Sequence, residues 1–330
     1  MPPKTWARYN TCGASALALL LFSISALGQG AAGAKSGQSA ITPDPQQSTG
    51  LTLRVDTTLV QIPVAVTDSL NRFVLGLQKE DFHLFEDGVE QNIAHFSGED
   101  APLSVGLAFD ESASMDYKLR TSQAAIAQFL KSMHADDEAF LVEFSDNAKV
   151  SVGFTTDRGE IPDALKKAQP GGLTAMLDAI NLALHEMKKA RNSRKAIVIV
   201  SDGGDNHSKY TAAEIEALVR EADVQIYAMG VFEPSLSFGL TPEEISGPRL
   251  LSEIATQTGG RAFAAALMGD LPSVAARIAI ELRNQYVLGY YPKNQTKDGK
   301  YRRVEVKLAQ PHGVSPLKAH WRLGYYAPSQ

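Results

Sequence analysis

Residues 103–116 read LSVGLAFDESASMD. An apolar run from Leu103 to Phe109 stops at Asp110, and hydroxyls follow at Ser112 and Ser114. A short run without polar alternation reads as a strand covered on both faces, the usual condition inside a parallel sheet. In an open α/β sheet, ligands bind outside the carboxyl ends of the strands. A carboxylate and two hydroxyls at such an end therefore read as a site.

The surrounding sequence repeats this grammar. The runs EAFLVEF (138–144), KAIVIVS (195–201) and VQIYAMGV (224–231) alternate with helix-like stretches at 118–133, 174–190, 211–222, 247–258 and 270–286. Apolar strands separated by amphipathic helices predict an α/β fold over 101–286, a doubly wound, mainly parallel sheet with helices on both faces. KVSVGFTT (149–156) follows its predecessor by a short turn and is expected as an antiparallel edge strand.

The flanks are β-rich. TLVQIPVAVTD (58–68) alternates Val60, Ile62, Val64 and Val66 with Gln61, Pro63 and Ala65, and Pro63 points to an edge strand. FHLFEDGVEQNIAHF (82–96) places Asp87-Gly88 between two strand-like runs, a two-residue hairpin signal. After Gln285 come YVLGYYP, KYRRVEVKLAQ and LKAHWRLGYYAP, whose LGYYP and LGYYAP near-repeats read as aromatic strands facing one core. A β unit over 51–100 and a segment over 287–330 are each small for independent stability. They are expected to pack together, with Phe82, Tyr290 and Trp321 in the shared core.

At the N-terminus, Lys4 and Arg8 precede ASALALLLFSISALG (14–28), the pattern of a secretory signal peptide over 1–28, with a mature chain beginning near Gln29. The apolar run is short for a membrane span, so no span is expected in the mature chain. Residues 29–50, rich in Gly, Ala, Ser, Gln and Pro, read as a flexible linker. The single cysteine, Cys12, precedes the apolar run, so disulfides and thiolate metal sites are not expected after cleavage. The expected location is periplasmic or extracellular.

The 330 residues carry a formal net charge of -5 and are 44% hydrophobic, as in a globular chain of roughly two domains. No cationic stretch is large enough for phosphate neutralisation, so a nucleic-acid partner is not expected. Arg191, Arg194 and Lys195 read as the solvated C-terminus of a helix.

Two further loops carry oxygen ligands. KAIVIVSDGGDN ends its apolar run in Asp202-Gly203, and GGLTAMLDAI places Thr174 at a helix start. Taken singly, these residues have ordinary roles: Ser112, Ser114 and Thr174 as helix caps, Asp202-Gly203 as a turn. In order, each at a strand-to-helix loop, they form an all-oxygen set suited to a hard cation, Mg²⁺ above all, with Mn²⁺ or Ca²⁺ also admissible.

Asp110-x-Ser112-x-Ser114, Thr174 and Asp202-Gly203 together resemble the metal-ion-dependent adhesion site of von Willebrand factor A domains. The flanks resemble those of secreted proteins related to that family and abundant in acidobacteria. The resemblance implies that the serines and the threonine hold the ion and that the aspartates bind it directly or through water. It also implies an open position for an Asp or Glu carboxylate of a partner protein. Glu111 and Ala113 fill the variable places, and Glu111 adds negative charge beside the site.

Asp178 is expected to be solvated or to support the ligands, and Asp205 to assist Asp202. The scattered histidines lack zinc spacing, and no nucleophile elbow or phosphate loop is present. The expectation is a secreted, non-enzymatic, adhesion-type binding module. The alternatives are an envelope scaffold with a structural metal and a metal-dependent hydrolase. The oligomeric state is open.

Overall fold

The computed structural model describes residues 59–98, 100–231, 241–265, 267–309 and 316–329. The stretches expected as a signal peptide (1–28) and a linker (29–50), and residues 51–58, lie outside the described residues. The described residues all belong to one compact unit.

The central sheet has six strands: β5 (Leu103–Asp110), β6 (Glu138–Phe144), β7 (Ala148–Thr155), β8 (Arg194–Ser201), β9 (Gln225–Gly230) and β10 (Ala262–Ala264). Their order is β10-β9-β8-β5-β6-β7, parallel throughout except for β7, which runs antiparallel at the edge as expected. Every residue of β5, β6 and β9 is buried, which accounts for their lack of polar alternation.

One face packs α1 (Leu119–Lys131), α2 (Glu160–Leu165) and α6 (Leu271–Arg283) over Val105, Leu107 and Phe109. The other packs α3 (Met176–Glu186), α4 (Ala212–Glu221) and α5 (Pro242–Gln257) over Ala108, Phe140 and Ile199. Gly106 makes room on that second face, since a Cβ there would lie 2.4 Å from the Phe140 ring.

Two antiparallel sheets flank this domain. One has the order β13-β1-β11-β4, from β1 (Val60–Thr67), β4 (Ile93–Ser97), β11 (Tyr286–Tyr290) and β13 (Lys318–Trp321). The other has the order β14-β12-β2-β3, from β2 (Phe82–Glu86), β3 (Val89–Gln91), β12 (Tyr301–Leu308) and β14 (Gly324–Tyr326). Each sheet combines strands from before and after the α/β domain, alternating in the first and paired at β12–β2 in the second, and the two sheets share one core. Phe82 and Tyr290 lie within that core, and Trp321 packs against it. Asp87 (φ 48°) and Gly88 (φ 80°) form the hairpin turn between β2 and β3.

Two expectations are corrected. Pro63 lies in an interior strand: β1 sits between β13 and β11. Its pairing with β13 begins only at Val64, while toward β11 Pro63 stands opposite Val287. The basic group does not end a helix. Arg194 and Lys195 open β8, Arg194 donates to Leu282 O, and Arg191 pairs with the buried Glu138 at 2.7 Å.

Candidate metal centre

The strand order places the site. β5 lies between β6 and β8, so the chain leaves β5 toward one side and returns on the other, which makes the β5/β8 boundary a topological switch point. Asp110 ends β5 and is fully buried; Asp202 directly follows β8 and is nearly so. The register, with Phe109 opposite Val200, brings Ser201 beside Asp110. Ser201 Oγ donates to Asp110 Oδ2 at 2.6 Å, and the Ser112 N–H donates to Oδ1 at 2.9 Å. Burial first, and the Asp202 carboxylate second, push the Asp110 carboxyl up to about 6.

The third loop is tied to this pair by backbone. Gly172 O accepts from the Ala113 N–H at 3.1 Å, and Glu111 O from the Gly171 N–H at 2.9 Å. Thr174 O accepts from the N–H groups of Asn206 and His207, each at 3.0 Å, while Asn206 Oδ1 accepts from the Thr174 N–H at 2.9 Å. Gly172 must be glycine: its φ is +79°, and a Cβ would lie 2.8 Å from the Asp146 carboxylate.

The hydroxyls are not spent on capping. Ser112 precedes the short 3₁₀ helix Ala113–Lys118 without a capping bond from its side chain; its Oγ lies 3.1 Å from Ser114 Oγ. The N-cap of α3 is Ala175, so Thr174 does not cap that helix either. Asp205 serves the helix instead: its Oδ1 accepts from the Leu177 N–H at 3.2 Å and from Ser208 Oγ at 2.5 Å. Asp178 accepts from the N–H groups of Lys209 and Tyr210, holding the loop after Asp205. Glu111 pairs with Lys149 of β7 at 3.1 Å, so its charge is compensated rather than added to the site.

Asp110, Ser112, Ser114, Thr174 and Asp202 thus lie on three loops bonded to one another at one sheet edge. Their donor set is all oxygen, with two buried carboxylates, and fits a hard divalent cation. Among the described residues no three His, Cys, Asp or Glu side chains converge, so hydroxyls must complete any ligand set here. Ser201, Asp146, Asn206 and Lys118 went unread in the sequence. Ser201 alone carried a signal, standing immediately before Asp202 at a strand end. Lys118 Nζ lies 2.9 Å from Asp202 Oδ2 with both side chains almost wholly buried, an internal cation on a candidate ligand.

A family model for the von Willebrand factor type A domain matches residues 106–204, the stretch that holds all five of these residues. The chain contains a von Willebrand factor type A domain. Beyond the family model, an uncharacterized protein of Borreliella burgdorferi is 28% identical over 157 residues, 43% of this chain. The match takes in 46% of that relative's length. Among solved structures, a von Willebrand factor type A protein from Catenulispora acidiphila is 14% identical, with a TM-score of 0.49, covering 76% of this chain and 75% of its own. The conserved hypothetical protein BatB from Bacteroides thetaiotaomicron is 21% identical, with a TM-score of 0.45, covering 55% of this chain and 97% of its own. The PilB minor pilin from Streptococcus sanguinis is 14% identical, with a TM-score of 0.45, covering 56% of this chain and 62% of its own. Among the described residues of this von Willebrand factor A domain protein, no helix is long and apolar enough to cross a membrane.

Proposed function

We propose that this protein is an exported, adhesion-type protein-binding module whose von Willebrand factor A domain holds Mg²⁺ and captures an Asp or Glu carboxylate of a partner through it. The observation that carries this reading is the state of the five oxygen residues. They are gathered at the switch point of the sheet, and neither Ser112 nor Thr174 is used as a helix cap. Asp110, Ser112, Ser114, Thr174 and Asp202 would hold the ion. Bound there, the ion would supply a positive centre for an anionic group, because three of its five protein ligands are neutral.

The same geometry disfavours an enzyme. Glu111 is engaged by Lys149, and Asp205 is engaged by the α3 N-terminus and Ser208, so neither nearby carboxylate is placed as a free general base. A scaffold role with a purely structural ion is less well supported, since the three loops are already bonded to one another without it. The test is affinity capture from envelope fractions of the native host, with Mg²⁺ and with chelator, comparing the wild type with Asp110→Ala. The reading expects a captured protein that is lost with chelator and with the variant. Capture indifferent to both would overturn it.

A further inference from the structure

We infer that Lys118 is a tethered competitor for the divalent cation, an internal ammonium that holds Asp202 until the ion displaces it. This rests on the metal reading above and concerns a residue outside the proposed ligand set. Lys118 ends the 3₁₀ helix that follows the Asp110 loop, and its side chain is only 8% exposed. A lysine at a helix start ordinarily reaches solvent; this one turns inward and places Nζ 2.9 Å from Asp202 Oδ2, whose own side chain is 7% exposed. Asp202 is the aspartate without a serine donor: it is held by Lys118 and by a long 3.5 Å contact from the Gly204 N–H. Asp110, by contrast, is satisfied by Ser201 and Ser112. The ammonium therefore sits on the carboxylate that most needs a cation.

Charge makes the two cations exclusive. The two aspartates supply two negative charges, which a divalent ion alone balances. An ammonium retained beside the ion would leave uncompensated positive charge in a buried place, where repulsion is poorly screened. The side chain has somewhere to go. Tyr117, its neighbour, is 58% exposed, and Nζ already lies 5.3 Å from the centre of that ring. A short swing outward would exchange the Asp202 carboxylate for solvent and the face of an aromatic ring. Lys118 thus raises the concentration of ion needed to load the site, and it keeps Asp202 neutralised when the ion is away.

The experiment is Mg²⁺ titration calorimetry, with thermal unfolding in chelator as a second readout, on the wild type, Lys118→Met, Lys118→Gln and Lys118→Arg. Lys118→Gln preserves a hydrogen-bond donor toward Asp202, in case the methionine variant does not fold. Removing the charge should tighten Mg²⁺ binding by about tenfold or more. It should also lower the melting temperature in chelator, because Asp202 loses its counter-charge. Lys118→Arg should stay close to the wild type in affinity. Binding by the neutral variants where the wild type binds none would support the inference most strongly. Mg²⁺ affinity unchanged or weakened in both neutral variants, with the wild type binding, would overturn it and leave the metal reading standing. No binding by any variant would overturn both.

Discussion

Gly203 and Gly247 meet backbone to backbone. A Cβ on Gly203, whose φ is +81°, would lie 2.8 Å from the Gly247 carbonyl carbon, and one on Gly247 would lie 2.5 Å from that of Gly203. The first turns of α5 therefore rest directly on the turn that carries Asp202. Gly247→Ala cannot be absorbed by a side-chain rotation, because both contacting surfaces are main chain. The expected cost is about 1–3 kcal/mol, from overpacking. Chemical denaturation should show that loss, and calorimetry should show weaker Mg²⁺ binding as the Asp202 turn is pushed aside. A variant as stable as the wild type, with equal affinity, would contradict the close packing.

The ligand set predicts graded losses. Asp110→Ala removes a charge that neutral hydroxyls cannot replace and should abolish Mg²⁺ binding, whereas Ser112→Ala should only weaken it. The core on both faces of the sheet is apolar and independent of the ion, so the protein should stay folded in chelator. At a hundred times the dissociation constant, Mg²⁺ should add about 2.7 kcal/mol to stability, as ligand binding to the native state requires. Equal Mg²⁺ affinity in wild type and Asp110→Ala would refute the ligand assignment.

The two Leu-Gly-Tyr-Tyr stretches converge on one carboxylate. Tyr290 OH and Tyr325 OH each donate to Glu86 Oε2 at 2.8 Å, and Arg302 approaches Oε1 at 3.6 Å. This links β11 of one flanking sheet to β2 and β14 of the other. Glu86→Ala leaves the Tyr290 and Tyr325 hydroxyls without their acceptor, while Arg302 keeps Asp298 at 3.2 Å, and should cost about 1–3 kcal/mol for each stranded hydroxyl. Tyr290→Phe should cost about 1–2 kcal/mol, from one lost bond to a charged acceptor. A double-mutant cycle between Tyr290→Phe and Tyr325→Phe should be non-additive, because both act on the same oxygen. Strict additivity would count against a shared acceptor.

His320 in β13 makes stability sensitive to acid. Burial, and then the neighbouring Arg261 and Lys318 charges, lower its pKa from 6.5 to about 4, and its Nε2 is buried without a partner. Between those two values the unfolded chain binds a proton that the native state does not, so this contribution is complete above pH 6.5 and is lost as pH falls toward 4. His320→Leu should lose less stability than the wild type between pH 7 and pH 5, measured as urea midpoints. Identical pH profiles would show that His320 titrates normally.

What could be read along the chain was local in its physics. The unbroken apolar runs of β5, β8 and β9 announced a sheet covered on both faces, because a strand's burial is written in its own alternation. Asp87-Gly88 announced a hairpin, because two consecutive positive φ angles favour those residue types. The five oxygen residues could be singled out because each stands at the end of its own run or at a helix start.

Which strands become neighbours was not local. Pro63 reads as an edge residue from its missing donor, yet β1 is interior. The ladder with β13 starts one residue later, at Val64, and only the position of β13 makes β1 interior. Arg194 reads as a solvated cation, but β8 carries it into contact with Leu282 O. A glutamate, two tyrosines and an arginine far apart in sequence share a bonding group only because the flanks alternate between two sheets.

Lys118 marks the boundary most sharply. By itself the sequence determined the α/β class, the β-rich flanks and the candidate oxygen residues, since periodicity and strand ends are properties of contiguous chain. Only the tertiary structure decided that a lysine near a helix start turns inward to Asp202. The reason is that a side chain's burial and its counter-charge depend on what other segments bring beside it, and no window of sequence contains those segments.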